Sequence, residues 1–167
     1  MRFFDYYLKG IDNGFDQDQP VQIYVQMGEG WRGENEWPLA REVRTKYYFG
    51  SGNSLAASPG AAGQDRYKAD FTHDSRYGEK LGNRTLSAMG GHPDGLPVRT
   101  KKDLQCLHYT SAPLGRDTEV TGHPIVNFWV SSSAKHGDFF VYLEDVHPDG
   151  KVVLVTEGWL RAGFAGL

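Results

Sequence analysis

Two hydrophobic periodicities divide the chain. Near its start, four apolar side chains are spaced as on one side of a short helix, which a glycine at position 10 would end. They are Phe3, Phe4, Tyr7 and Leu8. From residue 21, apolar residues alternate with polar ones, as in a strand with one solvated face. The pattern predicts a helix over 1–10, a polar turn-rich linker over 11–20 and a β domain over 21–167.

The β domain contains several strand-like runs separated by turn residues. We predict strands at 21–27, 42–49, 54–56, 104–110, 118–121, 125–131, 139–146 and 152–160. Residues 71–100 have no sustained period, which predicts an irregular excursion. The tetrapeptide His-Pro-Asp-Gly occurs at 92–95 and 147–150, and the second copy is expected to be a hairpin loop. Five late strands at hairpin spacing predict a sandwich or barrel.

Composition and charge narrow the function classes. The 167 residues are 39% apolar and carry a net charge of −3, which is typical of one soluble domain with no basic surface for nucleic acid or anionic lipid. The sequence lacks an apolar stretch of the ~20 residues that a bilayer span needs, and its start lacks a signal-peptide cleavage site. We expect a cytoplasmic protein by default, with neither nucleic acid nor membrane as partner. The single cysteine, Cys106, lies in an apolar run and is expected to be a small buried side chain.

The motifs of hydrolytic and metal chemistry are weak. The closest match to Gly-x-Ser-x-Gly places Ser54 in a Gly/Ala/Ser-rich loop that no apolar helix follows, so we do not expect a nucleophile there. The six histidines lack the short spacings that bring two ligands to one ion. The sequence therefore predicts no catalytic residue and no metal site of this kind.

Two further ligand motifs are incomplete. Three acids in the linker offer oxygens to calcium, but Ile23 stands where an EF-hand has its closing glutamate. Those acids are Asp12, Asp16 and Asp18. Gly28, Gly30 and Gly33 are spaced like a phosphate-binding loop, yet Trp31 is bulky and no amphipathic helix follows. We expect an aromatic-bearing turn and no cofactor.

The four tryptophans divide into two pairs. Trp129 and Trp159 have apolar strand neighbours, which predicts core positions. Trp31 and Trp37 flank a polar loop, where a structural role and a role as exposed anchors for a ligand or a neighbouring domain are both open.

An ordered series of segments carries a family resemblance over nearly the whole chain. The segments are RFFDYYLKG (2–10), IDNG (11–14), the strand at 21–27 with Trp31 and EWP (36–38) behind it, LHYTSAPL (107–114), EVTG (119–122), VSSSA (130–134), DFFVYLEDV (138–146), PDG (148–150) and TEGWLRA (156–162). In this order they resemble the C-terminal region of the CocE/NonD family of α/β hydrolases, the non-catalytic domain that X-Pro dipeptidyl-peptidases also carry.

The resemblance implies a fold and a role. The fold is an all-β sandwich of jelly-roll, galactose-binding-like type, with the first helix corresponding to the last helix of a preceding hydrolase domain. The Ser-His-Asp triad of that family precedes the matched region, so the resemblance implies no catalytic residue here and an isolated chain that is inactive. The expected partner is the catalytic α/β-hydrolase domain, and the expected contact residues are Phe3, Phe4, Tyr7, Leu8, Trp31 and Trp37.

The sequence departs from the family pattern at two places, and each departure leaves a question about substrate class or completeness open. Residues 71–91 do not match the loop common in the family, so the substrate class stays undetermined. The chain also stops at Leu167, before the strands that complete the jelly roll, so we expect either a fragment or a second chain over that edge. The competing functions are a carbohydrate- or ligand-binding module, in which aromatic side chains form a platform, and a homo-oligomer subunit.

Overall fold

The computed structural model describes residues 1–26, 28, 30–70 and 98–164. These residues form antiparallel strand pairs, two α-helices and short 3-10 turns. The strand pairs are β1 (Val21–Val25) with β2 (Gly30–Glu34), β3 (Tyr48–Gly50) with β4 (Ser54–Ala56), and β5 (Asp138–Val146) with β6 (Val152–Arg161); the helices are α1 (Arg2–Lys9) and α2 (Thr100–Asp103). The predicted all-β class with a short N-terminal helix is confirmed. Each described sheet has two strands, so the sandwich or jelly-roll type stays a prediction.

The chain divides into two compact units. The first consists of Met1–Thr45 and Asp117–His123, and the second of Lys46–Arg116 and Pro124–Leu167. Helix α1 and the β1–β2 hairpin share the first unit, and the domain boundaries predicted from the sequence stay a prediction.

Helix α1 ends where the sequence indicates. Gly10 has a left-handed backbone with φ of 64°, and its N–H donates to the Tyr6 carbonyl at 3.2 Å. The Ile11 N–H donates to the Asp5 carbonyl at 3.0 Å. A residue without Cβ adopts this conformation at little cost, so Gly10 stops the helix after about two turns.

The β1–β2 hairpin corrects the prediction of a loop around Trp31. Val21 pairs with Glu34, and the register runs to Val25 opposite Gly30. β2 contains two glycines and no apolar alternation, so its own sequence does not favour a strand. Pairing with β1 supplies the backbone hydrogen bonds that make it one.

The strand predicted at 118–121 is wrong, and the strand predicted at 42–49 is wrong over most of its length. Residues 118–121 form no strand, because the segment is held to β2 by side chains instead of a backbone ladder. The strand predicted at 42–49 begins only at Tyr48, where it pairs with Ala56 of β4, and that pair belongs to the second unit. The short strand predicted at 54–56 is confirmed.

The β5–β6 hairpin is the longest strand pair among the described residues of the second unit. The second His-Pro-Asp-Gly copy closes it: the His147 N–H donates to the Lys151 carbonyl, and the Gly150 N–H donates to the His147 carbonyl, both at 2.9 Å. Gly150 has φ of 83°, which a glycine accommodates without strain. The predicted hairpin loop is confirmed. The first copy at 92–95 and most of the predicted excursion lie outside the described residues.

The apolar core of the second unit lies at the start of β6. Val152, Val153 and Leu154 are buried there, and Val98 forms a bridge to Val153. The core positions predicted for Trp129 and Trp159 are wrong, since Trp129 is fully exposed and Trp159 is 63% exposed. Among the described residues, the bridge from Val98 meets the start of β6, and most positions after Leu154 are exposed.

The strands predicted at 104–110 and 125–131 are wrong, whereas those predicted at 139–146 and 152–160 correspond to β5 and β6. After α2, the N–H groups of Gln105 and Cys106 donate to carbonyls three residues earlier, so 104–106 form turns. Only Thr110, at the end of the predicted strand 104–110, bridges to Ser54. Residues 125–131 form no strand, although the Phe128 ring lies 5.5 Å from that of Phe139.

Cys106 is half-buried, and burial raises the pKa of its thiol.

Candidate docking surface

Helix α1 exposes an apolar face. Its four predicted contact residues, Phe3, Phe4, Tyr7 and Leu8, are 49%, 48%, 61% and 77% exposed. The helix is too short to be stable in isolation, so it needs packing partners. The structure brings these residues together on one face, which we call the α1 face.

Phe15 extends this aromatic surface, and the sequence analysis missed it. Its ring centroid lies 5.4 Å from that of Phe3 and 6.0 Å from that of Tyr7, both edge-on, and 6.3 Å from that of Tyr6. Edge-to-face contacts at these distances are favourable for aromatic rings. The signal available in the sequence was one aromatic residue inside an otherwise polar linker.

Polar groups hold α1 against the linker. Arg2 donates through two nitrogens to the Asp18 carboxylate at 2.9 and 3.3 Å, and donates to the Asn13 carbonyl at 3.2 Å. The Asn13 side-chain amide donates to the Arg2 carbonyl at 2.9 Å and accepts the Phe15 N–H at 3.1 Å. We call these contacts the α1 clip. The Lys9 ammonium donates to Asp5 and holds the pKa of that carboxyl below its usual value.

A cavity of about 450 Å³ lies beside the helix, and two of the three acids considered as calcium ligands line it. Its lining includes Tyr6, Asp12 and Asp16, and the charge of Asp16 is the main cause that raises the pKa of the Tyr6 phenol. Asp18 instead pairs with Arg2. Among the residues that the structure describes, no group of three His, Cys, Asp or Glu side chains is placed to hold a metal ion.

The two tryptophans of the first unit occupy different settings. Trp31 is 72% exposed on β2, and its ring lies 5.5 Å from the exposed Tyr24 ring across the hairpin at 67°. Trp37 is 40% exposed and meets the His123 ring edge-on at 5.6 Å. Trp31 is therefore exposed, whereas Trp37 is partly covered, and a contact role for either residue stays a prediction.

A network of ion pairs lies beside Trp31 and fixes the hairpin. Arg32 donates to both Glu119 oxygens at 2.7 and 3.0 Å and to Glu34 at 2.7 Å. Arg41 donates to both oxygens of the same Glu34, which is buried, and Thr121 donates to Glu119 at 2.7 Å. Hydrogen bonds from the arginines lower the pKa of Glu34 and of Glu119 to about 2 each. The network joins β2 to residues 117–123.

The second unit holds a buried charge pair. Arg99 is 2% exposed, donates to the Glu144 carboxylate and lies 3.6 Å from the centroid of the Tyr142 ring. Burial raises the pKa of Glu144, and the hydrogen bond from Arg99 opposes that shift. Sequence patterns gave no signal for this pair, whose members are 45 positions apart.

The serine motif around Ser54 and the glycine motif around Gly30 both lie in strand pairs. The Ser54 hydroxyl donates to the Ser51 carbonyl at 3.0 Å, and Ser54 begins β4 opposite Gly50, which is not a strand-to-helix elbow. Gly30 and Gly33 belong to β2, so they form part of a hairpin and not a loop before a helix. None of the helices in the described ranges is long and apolar enough to cross a membrane.

Comparisons with known proteins identify the family. The model of the X-Pro dipeptidyl-peptidase C-terminal non-catalytic domain matches residues 13–165. The chain is similar to "Putative serine esterase" of Mycobacterium tuberculosis (strain CDC 1551 / Oshkosh), with 38% identity over 164 residues, 97% of this chain and 26% of that protein. It is similar to "Cocaine esterase" of Rhodococcus sp. (strain MB1 Bresler), with 31% identity over 97% of this chain and 29% of that protein.

A third relative is more distant. "Putative Xaa-Pro dipeptidyl-peptidase" of Bacillus anthracis is 25% identical over 95% of this chain and 24% of that protein. No solved structure matches the chain. The chain thus spans about a quarter of the length of these relatives. Since the family model covers most of its residues, the chain belongs to the family of X-Pro dipeptidyl-peptidase C-terminal non-catalytic domains.

Proposed function

We propose that this chain is the accessory domain of a serine-type α/β hydrolase that cleaves ester or amide bonds. Under this proposal it packs against the catalytic domain, forms one wall of the active-site cleft and excludes water from part of the substrate pocket. The serine, histidine and aspartate that perform the chemistry belong to the catalytic domain. The domain alone is then inactive.

The exposed α1 face is the observation that carries this proposal. Its side chains are at least about half exposed, so burying each one fully would contribute roughly 1–2 kcal/mol. The family match begins at residue 13, after α1, and the relatives are about four times as long as the matched segment. Both facts support a catalytic domain as the partner that covers α1 and the exposed Trp31.

A chimera tests the proposal directly. The C-terminal non-catalytic domain of the Mycobacterium tuberculosis relative is replaced by this chain, and hydrolysis of p-nitrophenyl butyrate is followed after heating. We expect the chimera to retain activity after a heat treatment that inactivates the relative without its C-terminal domain. The double substitution Phe3→Ser/Tyr7→Ser should remove most of this protection, because it deletes two large apolar contacts.

Val43→Ser is the matched control, since Val43 is 82% exposed in the same unit. It should leave the chimera's heat resistance unchanged. A chimera that inactivates as fast as the truncated relative would refute the accessory role. Equal loss in the Phe3/Tyr7 variant and in the control would refute the α1 face as the contact.

A carbohydrate-binding function is the second candidate, favoured by the exposure of Trp31 and Trp129. The Tyr24 and Trp31 rings are tilted by 67°, whereas a sugar platform uses coplanar rings, which disfavours it at this hairpin. Retarded migration of the chain in native gels containing xylan or soluble cellulose, lost in Trp31→Ala, would support the second candidate. Light scattering of the isolated chain tests the oligomer alternative.

A further inference from the structure

The α1 clip joins the start of α1 to the linker by reciprocal bonds. Arg2 reaches the Asn13 carbonyl and the Asp18 carboxylate, and the Asn13 amide returns a hydrogen bond to the Arg2 carbonyl. The two residues therefore hold each other through backbone and side chain at once. Asn13 also accepts the Phe15 N–H at 3.1 Å, which fixes the start of the 3-10 turn Phe15–Gln17.

This arrangement sets the position of the Phe15 ring relative to the helix. Phe15 is partly buried and lies against Phe3, Tyr6 and Tyr7. Without the clip, the described contacts that connect the residues after Gly10 to α1 would be the Ile11 N–H bond to the Asp5 carbonyl and the ring contacts on a largely exposed surface. A polar clip on one side and aromatic contacts on the other define one orientation of α1.

We infer that Arg2 and Asn13 are positioning residues that preorganise the α1 face, with Phe15 as its fifth apolar member, for contact with a catalytic domain. The inference rests on the proposed function. The occupant is the catalytic domain because the family match begins at residue 13 and the relatives extend far beyond the matched segment. Arg2 lies in α1 and Asn13 in the linker, and both act on the contact only through the orientation of the helix.

Preorganisation stabilises a contact by reducing the conformational entropy that is lost when it forms. The clip consists of exposed hydrogen bonds, each with a modest net contribution. Breaking one part of it should therefore raise the population of misoriented α1 roughly threefold to tenfold. The α1 face itself keeps all of its apolar side chains in such a variant.

The experiment compares clip variants in two settings. In the full chain of 167 residues, hydrogen exchange of the α1 amides is measured for Asn13→Ala, Arg2→Glu, Asp18→Arg and the swap Arg2→Glu/Asp18→Arg. In the chimera described above, the same variants are tested for the rate of heat inactivation. Arg44→Glu is the charge-matched control, since Arg44 is exposed in the same unit and pairs locally with Glu42.

We expect Asn13→Ala and Arg2→Glu to speed exchange of the α1 amides and inactivation of the chimera by roughly threefold to tenfold. The swap should bring both rates part of the way back, because it rebuilds the ion pair with reversed charges while the hydrogen bond from residue 2 to the Asn13 carbonyl stays broken. Recovery of the two rates in the swap variant distinguishes loss of the ion pair that orients α1 from general destabilisation of the fold. The control should change neither rate.

Four results would overturn the inference. Clip variants that behave like the control in exchange would show that the clip does not order α1. Faster exchange without faster inactivation, while Phe3→Ser/Tyr7→Ser still accelerates inactivation, would show that orientation does not matter for the contact. A swap that restores neither rate would show that the ion pair between residues 2 and 18 does not orient α1. If Phe3→Ser/Tyr7→Ser fails to accelerate inactivation, the α1 face is not the contact and the inference falls with it, whereas a chimera no more heat-resistant than the truncated relative would refute the proposed function itself.

Discussion

The buried pair of Arg99 and Glu144 allows a quantitative test of what stabilises the second unit. We consider Arg99→Met, Glu144→Leu and the double variant, which replace charged groups by apolar ones of similar length. Arg99 is 2% exposed and Glu144 has a 13% exposed side chain, so both charges are largely removed from water. The Tyr142 ring also contacts the guanidinium face at 3.6 Å.

The expected magnitudes follow from this burial. Removing one member deprives the other charge of this partner at a largely buried site, which costs about 3–5 kcal/mol. Arg99→Met also removes the contact with the Tyr142 ring, which in desolvated sites is worth about 2 kcal/mol. Replacing both charges removes the pair and its desolvation penalty together. The double variant should therefore lose about 3 kcal/mol less than the sum of the single variants.

Urea unfolding followed by far-ultraviolet circular dichroism measures these losses. The exposed pair of Arg161 and Asp138 lies on the same hairpin and supplies the control. Its removal should change the free energy of unfolding little, because exposed pairs are screened by solvent. Strict additivity of the Arg99 and Glu144 substitutions, or losses no larger than those of the control, would refute the reasoning.

Three more predictions concern other parts of the chain. Arginine partners hold the pKa values of Glu34 and Glu119 at about 2, below the ordinary 4.5, so their stabilising contribution is complete above about pH 4.5 and is lost as pH falls towards 2. Glu119→Gln should flatten the fall in the free energy of unfolding over that range, and an unchanged slope would contradict this. Leu154→Ala should cost about 2–5 kcal/mol because Leu154 is buried, and Leu160→Ala clearly less because Leu160 is 51% exposed; equal losses in urea unfolding would contradict the burial argument. The isolated chain should hydrolyse p-nitrophenyl acetate no faster than buffer, with Ser54→Ala unchanged, and a rate that vanishes in that variant would show a nucleophile.

The successful predictions depended on local signals. The spacing of Phe3 and Tyr7 with Gly10 predicts α1 and its end, because side-chain periodicity and a left-handed cap are properties of a few adjacent residues. The alternation at β1, β5 and β6 and the turn at 147–150 are equally local. The order of motifs also placed the chain in its family.

Failures occurred where distant residues determine the structure. β2 has no strand pattern of its own and forms because β1 lies beside it, while Glu119 meets Arg32 from 87 positions away. Nothing local distinguishes Arg99 from an exposed arginine, yet the backbone bridge to β6 buries it.

The exposure of Trp129 shows the same limit, since apolar neighbours indicate a strand only when a partner supplies hydrogen bonds and cover. Periodicity and caps act over a few residues and can be seen in the printed sequence. Burial and ion pairing are energies of contact between segments far apart in the chain, so they exist only once the chain has folded.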